Sequence, residues 1–424
     1  MNTTPNASDT SPVSPIATML AELRRNKRDI VDAWLAKTRR EVAIPFYSSV
    51  DLRHSGYKIA PVDTNLFPAG FNNLSDAARK RASVRVQQFL ERNGVQKLLI
   101  VPENHTRNLF YLDNLAALKS ILEMAGATVE IGTMASEETL ALTSANGTPL
   151  TQQPLTREGS TLRTQDGYVP DLIVLNNDLT SGMPEMLRGV SQMITPRPRQ
   201  GWFRRRKSIY FEAYDRVAKD FARETGIDPW LISTEFHKCG RVDFSTPAGQ
   251  QCVALGVERV MKRVRAHYAR YGITEEPYVF IKSDAGTYGM GIMTARSGDE
   301  VLELNKKARN KMKTIKEGTK STEVIIQEGV PTACQVDGGA AEPMMYAIGS
   351  HAIGGAYRVN KERDNEGNLN SQGMVFIPMR DEGEDEMDAS SVCMSPDAYL
   401  AFDIVAALAS LAAPLEEYGE SYSI

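Results

Sequence analysis

Between Lys97 and Leu175, short apolar runs alternate with a helical pattern, and this alternation restricts that stretch to a parallel α/β arrangement. Leu98 to Val101 reads as a buried strand, and Asn108 to Met124 as a helix that Gly126 ends. Thr128 to Ile131 reads as a second strand and Asp171 to Leu175 as a third. Between the last two, Ser136 to Gly167 is polar, with Asn-Gly and Asp-Gly dipeptides, and reads as an extended loop or small excursion.

Outside this unit the pattern is coarser. Met1 to Pro15 is rich in Ser, Thr, Pro and Asn, the composition of a disordered tail. Ile16 to Arg40 places Met19, Leu20, Leu23, Ile30, Trp34 and Leu35 at helical spacing, which predicts an amphipathic helix. Helical patterns recur from Ser208 to Glu224 and from Cys252 to Tyr271, with Gly272 as C-cap, and an Ala-rich helix follows Pro396. Strands and loops fill Pro277 to Met379, and the acidic run Asp381 to Asp388 reads as a solvated loop.

The 424 residues carry 49 basic and 53 acidic side chains, a net charge of −4, which argues against a dedicated nucleic-acid binder. Cys239, Cys252, Cys334 and Cys393 show neither Cys-x-x-Cys nor zinc spacing, so all four read as packing residues in a reducing compartment. The five histidines show no metal spacing either. The N-terminus lacks the order of a signal peptide. The apolar stretch from Tyr399 to Leu415 is interrupted by Asp403 and Pro414, short of the roughly 20 residues that span a bilayer. A cytoplasmic protein without membrane or nucleic-acid partners is expected.

Chemistry concentrates in PYVFIKSDAGTYGMGI, Pro277 to Ile292. A strand delivers Lys282, and a loop comes after it containing Gly286, Thr287, Tyr288, Gly289 and Gly291. Glycines let backbone N–H groups close around an anion, and the lysine adds a compact positive charge. The spacing is that of neither a P-loop nor a Rossmann turn. In isolation, a glycine hairpin with a surface lysine fits the segment equally well. The order of the downstream segments narrows the choice: a strand ending in Gln327, Glu328 and Gly329 before Val330, then Glu342, then Arg358 on a further strand. Last comes Glu366-Gly367-Asn368-Leu369-Asn370, whose oxygens suit a hard cation such as Mg²⁺.

This series resembles the ATP-grasp ligases from about Pro277 to Pro378. Longer blocks, DLRHSGYKIAPVDTNLFPAGFNNL, NNDLTSGMPEMLRG, GWFRRRKSIYFEAYD, KSDAGTYGMGIMTARS and IIQEGVPT, resemble the proteobacterial ATP-grasp glutamate–cysteine ligases. The resemblance implies an α/β (α+β) fold: a parallel α/β N-terminal unit followed by an ATP-grasp domain with antiparallel sheets. The implied division is a tail over 1–15, a helical segment and pre-ATP-grasp-like substrate unit over 16–200, and a helical connection over 201–275. The ATP-grasp domain then covers 276–380, and an acidic loop and C-terminal helix cover 381–424.

The implied activity is ligation of glutamate to cysteine, with ATP and Mg²⁺, the first step of glutathione synthesis. Lys282 and the Gly286 to Gly291 loop would hold phosphates, Gln327, Glu328 and Val330 the adenine, and Arg358 the transferring phosphoryl group. Glu366, Asn368, Asn370 and Glu342 are the metal candidates, with Gly367 departing from the family's Glu-Asn spacing and Glu342 equally suited to pair an arginine. An amino acid needs a carboxylate for its ammonium and an arginine for its carboxylate. Asp63 and Arg53 fit those roles, with Asn65, Asn72, Asn176 and Arg205 as further substrate candidates. A glutathione synthetase-like ligase is the competing enzyme, and a non-catalytic anion or nucleic-acid binder using Arg197 to Lys207 the competing class. Oligomeric state is left open.

Overall fold

The computed structural model describes residues 14–104, 107–285, 292–304, 322–380 and 391–417. In chain order the elements open with α1 (Pro15–Asn26), α2 (Arg28–Glu41), β1 (Tyr47–His54), β2 (Ile59–Asn65), α3 (Asp76–Asn93), β3 (Lys97–Pro102), α4 (Leu109–Met124) and β4 (Thr128–Thr133). Next are β5 (Leu140–Thr143), β6 (Pro149–Glu158), β7 (Thr161–Thr164), β8 (Leu172–Asn176), β9 (Met193–Thr195), α5 (Lys207–Thr225), β10 (Phe236–Val242) and α6 (Pro247–Tyr271). The chain continues through β11 (Val279–Ser283), β12 (Met293–Ala295), α7 (Gly298–Leu302), β13 (Thr322–Glu328) and β14 (Gln335–Val336). It closes with β15 (Gly339–Ile348), β16 (His351–Asn360), β17 (Met374–Pro378) and α8 (Pro396–Ala412).

The strand–helix alternation forms a sheet ordered β5-β6-β4-β3-β8-β9, parallel from β6 to β9, with α4 crossing between β3 and β4. The polar stretch 136–167 is not a loop but three strands: β5 and β7 pair antiparallel with β6. Its Thr and Gln residues lie largely on solvated faces, which weakened the apolar signal a strand usually gives.

Two antiparallel sheets carry the rest. One is ordered β17-β16-β15-β1-β2, with β14 on β15; the other is β10-β13-β11-β12. The hairpin 47–65 therefore sits in the same sheet as 339–378, so segment 16–200 supplies strands to two sheets. The helix expected over 16–40 is two, broken at Lys27. Ser14 caps α1 by accepting from the Ala17 N–H, and Lys27 Nζ donates to Thr225 O at the end of α5. α6 begins under a Thr246 cap and ends at Gly272 in the left-handed region, φ +65°. Its buried stripe Val253, Val257, Val260 and Val264 covers the β10–β13 sheet.

α8 packs with α1, α2 and α5 over the β1–β15 sheet in one core. The helical span Pro396–Glu417 has 22 residues and a mean hydropathy of 1.8, enough to cross a bilayer by length and composition, and 83% of its apolar window is buried inside the protein. Its apolarity is that of a core helix, extended past Pro414 by a 3₁₀ turn (Ala413–Glu417) that the sequence pattern hid. The cysteine reading is corrected in part: Cys334 and Cys393, 59 residues apart, form a disulfide with Cα atoms 5.4 Å apart, while Cys239 and Cys252 are free. Nothing in local spacing marks a pairing that tertiary packing creates.

Candidate active site

The two antiparallel sheets meet at Lys282, the last apolar-strand position but one of β11. Its Nζ donates to Gln327 Oε1 on β13 at 2.8 Å and across the junction to the Val62 carbonyl on β2 at 3.2 Å. Burial pushes this amine down to about 8, with the nearby Asp63 carboxylate opposing and Lys207 and Arg53 reinforcing the shift.

On the first sheet, a ladder of alternating charge crosses three strands. Glu342 and Arg358 are cross-strand partners on β15 and β16. Arg53 Nε donates to Glu342 Oε2 at 2.7 Å, and Arg358 Nη1 donates to Asp51 Oδ2 at 2.8 Å and to Glu342 Oε1. Their side chains are 4–7% exposed for Arg53, Glu342 and Arg358, and 18% for Asp51, so the charges neutralise one another away from solvent. Burial alone would raise Glu342, but Arg53 and Arg358 outweigh it and hold the carboxyl below its ordinary value. Burial raises Asp51 despite Arg358, and the Glu342 and Asp63 carboxylates push it the same way. Arg358 Nε is buried and has no hydrogen-bond partner among the described residues.

β2 adds Asp63, directly opposite Asp51 in the hairpin, and both of its oxygens receive Lys207 Nζ at 2.5 Å. Lys207 opens α5. That helix start is fixed to the end of β11, because Asp284 accepts from Ser208 N and Oγ at 2.6 and 2.7 Å. Asp63 is held below the usual carboxylate range: burial acts upward, and Lys207 and Lys282 outweigh it. Its side chain is 44% exposed, more than the other charges of the junction.

The 361–371 loop closes another side. Arg53 donates from Nη1 to Asn365 O (3.1 Å) and from Nη2 to Gly367 O (2.7 Å), while Tyr278 OH donates to Glu366 O (3.4 Å). Glu366 pairs with Arg296 just beyond β12, and Asn368 Oδ1 accepts from Asn370 N at 3.1 Å. Tyr278, just before β11, and Arg296, just after β12, thus both touch the Glu366 loop.

Of the sequence candidates, Lys282, Gln327, Arg53, Asp63, Glu342 and Arg358 converge here. Glu328 is buried, with both carboxylate oxygens engaged inside the protein: Oε1 receives Lys58 Nζ at 2.8 Å, and Oε2 receives the Glu235 N–H at 2.8 Å and Trp230 Nε1 at 3.3 Å. Asn65 Oδ1 accepts from Phe67 N, and Asn72 Nδ2 donates to Asn73. Asn176 is buried among Tyr111, Asn114 and the Pro68 carbonyl; Arg205 grips Glu416 with two nitrogens and donates to Thr64 O. These four serve turns and sheet ends. Gly286, Thr287, Tyr288, Gly289 and Gly291 lie outside the described residues. Asp51 is the residue the sequence reading missed, and Lys207 entered it only as the end of the basic turn Arg197 to Lys207. Asp51 stands two before Arg53 on one strand, spacing that puts both on one face.

The protein is thus a mixed α/β chain whose two antiparallel sheets meet at paired cations and carboxylates. A family model for glutamate–cysteine ligase matches residues 22–417, and the chain belongs to that family of enzymes. The crystal structure of a protein provisionally named gamma-glutamylcysteine synthetase, from Methylobacillus flagellatus, is 40% identical, with 97% of this chain and 98% of that chain covered and a TM-score of 0.86. A glutathione synthetase-like effector from Globodera pallida (12% identity, 85% and 79% coverage, TM-score 0.37) and D-alanyl-alanine synthetase A from Vibrio cholerae (12%, 60% and 68%, 0.27) are too distant to carry an argument. No curated protein matches the chain.

Proposed function

We propose that the enzyme joins the γ-carboxylate of L-glutamate to the amine of L-cysteine, with ATP as phosphoryl donor and Mg²⁺ as its counterion. The observation that carries this reading is the convergence of Lys282, Arg358 and Lys207 with the carboxylates of Asp51, Asp63 and Glu342 where the two sheets meet. Such a reaction brings three anionic groups together, so its barrier is largely one of charge and alignment. The carboxylate oxygen attacks the γ-phosphorus, ADP leaves, and an acyl phosphate forms. Cysteine's amine then attacks the acyl carbon, loses a proton, and phosphate leaves.

Protonated Lys282 suits the ATP phosphates, and the unpartnered Nε of Arg358 is a donor ready for the transferring phosphoryl oxygens. Asp63, the most exposed of these carboxylates, suits a substrate ammonium. Arg53, with its donors already engaged, positions the 365–367 backbone. The carboxylates of Asp51 and Glu342 converge on one Arg358 nitrogen, so oxygens from two strands lie close enough together to hold one divalent cation, whereas Glu366 stands singly against Arg296. When bound, Mg²⁺ would neutralise charge between the β- and γ-phosphates. ATP as donor goes with a cytoplasmic setting.

ADP release measured with each amino acid omitted in turn tests the assignment. Turnover that requires both glutamate and cysteine supports it; turnover indifferent to either rejects it.

A further inference from the structure

α5 begins without a cap of its own. Its N-cap position is Arg206, whose side chain makes no capping hydrogen bond, and its first turn carries no acidic residue. The cap comes from Asp284, 76 residues beyond Ser208 and two past Lys282: Oδ1 accepts from Ser208 N at 2.6 Å and Oδ2 from Ser208 Oγ at 2.7 Å. The backbone of Asp284 is tied as well. Its carbonyl accepts from Lys207 N and its N–H donates to Glu323 O on β13, both at 2.8 Å.

Asp284 is 0% exposed. Helix N–H groups satisfy a buried carboxylate well, and both oxygens are engaged inside the protein, so neither is offered to a substrate. Asp284 can serve the reaction only through other residues.

Those residues are the two amines of the junction, and the contacts close a circuit through them. From Asp284 the chain runs back to Lys282, whose Nζ donates to Val62 O at 3.2 Å. The next residue, Asp63, receives Lys207 Nζ on both oxygens at 2.5 Å, and Lys207 and Ser208 lead back to Asp284. Asp63 feels the charge of both amines. Arg206 also pairs with Glu323 at this junction, but those side chains are 27% and 32% exposed and stand outside the circuit.

We propose that Asp284 is a positioning residue: it fixes the separation between Lys282 and the Lys207–Asp63 pair, and so holds the phosphoryl donor and the amino-acid ammonium in line. What the two groups bind rests on the ligase reading; the circuit rests on geometry alone. Misalignment of two bound reactants weakens the transition state more than it weakens the binding of either one, so kcat is the quantity that moves.

The test measures kcat and KM in full-length variants, each at a temperature where its melt shows it folded. Asp284→Asn is isosteric, with an oxygen for Ser208 N and an amide that can donate to Ser208 Oγ, so kcat should stay within about threefold of wild type. Asp284→Glu keeps the charge but lengthens the link by one methylene. Its kcat should fall about tenfold or more, with the KM for ATP changed less than about threefold. Should that variant not fold, Asp284→Ala carries the same expectation. Glu323→Gln, which weakens the neighbouring clasp, should leave kcat within about twofold. In a Lys207→Ala background the Asp284→Glu loss should shrink to less than about threefold, because the residue it acts through is gone.

A second readout needs no substrate. Acetic anhydride labelling mapped by mass spectrometry should modify Lys207 at least about threefold faster in Asp284→Glu or Asp284→Ala, where its hold on Asp63 is lost. Wild-type kcat in both of those variants overturns the proposal, as does an Asn variant that falls as far as Glu, or an undiminished loss without Lys207. If the wild type shows no turnover dependent on glutamate and cysteine, the ligase reading fails by itself. Labelling then decides the circuit: faster modification of Lys207 upholds it, and an unchanged rate overturns it.

Discussion

Lys282 and Val62 are 220 residues apart in sequence, yet the lysine Nζ donates to the valine carbonyl at 3.2 Å and so joins two separate sheets. The same amine feels the charges of Asp63 and Lys207, one from a β-hairpin and one from the first turn of a helix. A charge set between elements in this way is sensitive to each of them.

Replacing Lys282 with Ala should lower kcat/KM for ATP by about a hundredfold or more, as loss of one preorganised donor to developing charge does. The fold should persist, because burial already disfavours the charged amine. ADP release and a thermal melt on the same preparation distinguish the two effects, and wild-type turnover in the variant would remove Lys282 from the site.

Lys282 titrates near 8 rather than 10.5, so the charge that meets phosphate fades as pH rises through 8. The KM for ATP should therefore climb above pH 8 in the wild type. In Lys282→Arg, whose guanidinium stays charged past about pH 12, that climb should vanish. Folding responds in the opposite sense: between pH 8 and 10.5 the unfolded chain binds the proton more tightly, so this residue's contribution to stability increases with pH across that window.

Asp51→Asn should raise the Mg²⁺ concentration for half-maximal rate by about tenfold, in the range seen when one group of a metal site is altered, and Glu366→Gln should change it by less. The reverse order would transfer the metal role to the Glu366 loop.

Glu342 stands between two buried guanidinium groups, so Glu342→Ala leaves both uncompensated. A destabilisation of about 3–5 kcal/mol is expected, read as a fall in the urea midpoint. An unchanged midpoint would mean that solvent reaches Arg53 and Arg358.

Burial holds His54 and His351 each to about 4, below the ordinary 6.5. The unfolded chain binds these protons first, so stability should drop as pH falls from 6.5 to 4. A His54→Asn, His351→Asn double variant should show a shallower fall in Tm over that window, and parallel curves for variant and wild type would contradict the assignment.

How much of this was legible in the residues differs from place to place. Lys282 was marked by a short apolar strand and trailing glycines, and Arg358 by its own strand, both local patterns. Asn176 and Arg205 carry the right chemistry for a substrate and stand next to strand or helix ends, yet side-chain direction turns them to Asn114 and Glu416. The single helix expected over 16–40 breaks at Lys27, although its apolar spacing continues on both sides.

The order of residues by itself determined the local elements: the alternation around β3, α4 and β4, the Gly272 end of α6, and the strand that carries Lys282. Periodicity and capping act over a few residues, so they are written in adjacent positions. Tertiary structure decided which remote segments meet. Arg53 finds Glu342 across 289 residues, Lys58 finds Glu328 across 270, and Cys334 finds Cys393 across 59. Such partners are chosen by the burial of whole sheets and helices against each other, and no local spacing records that choice.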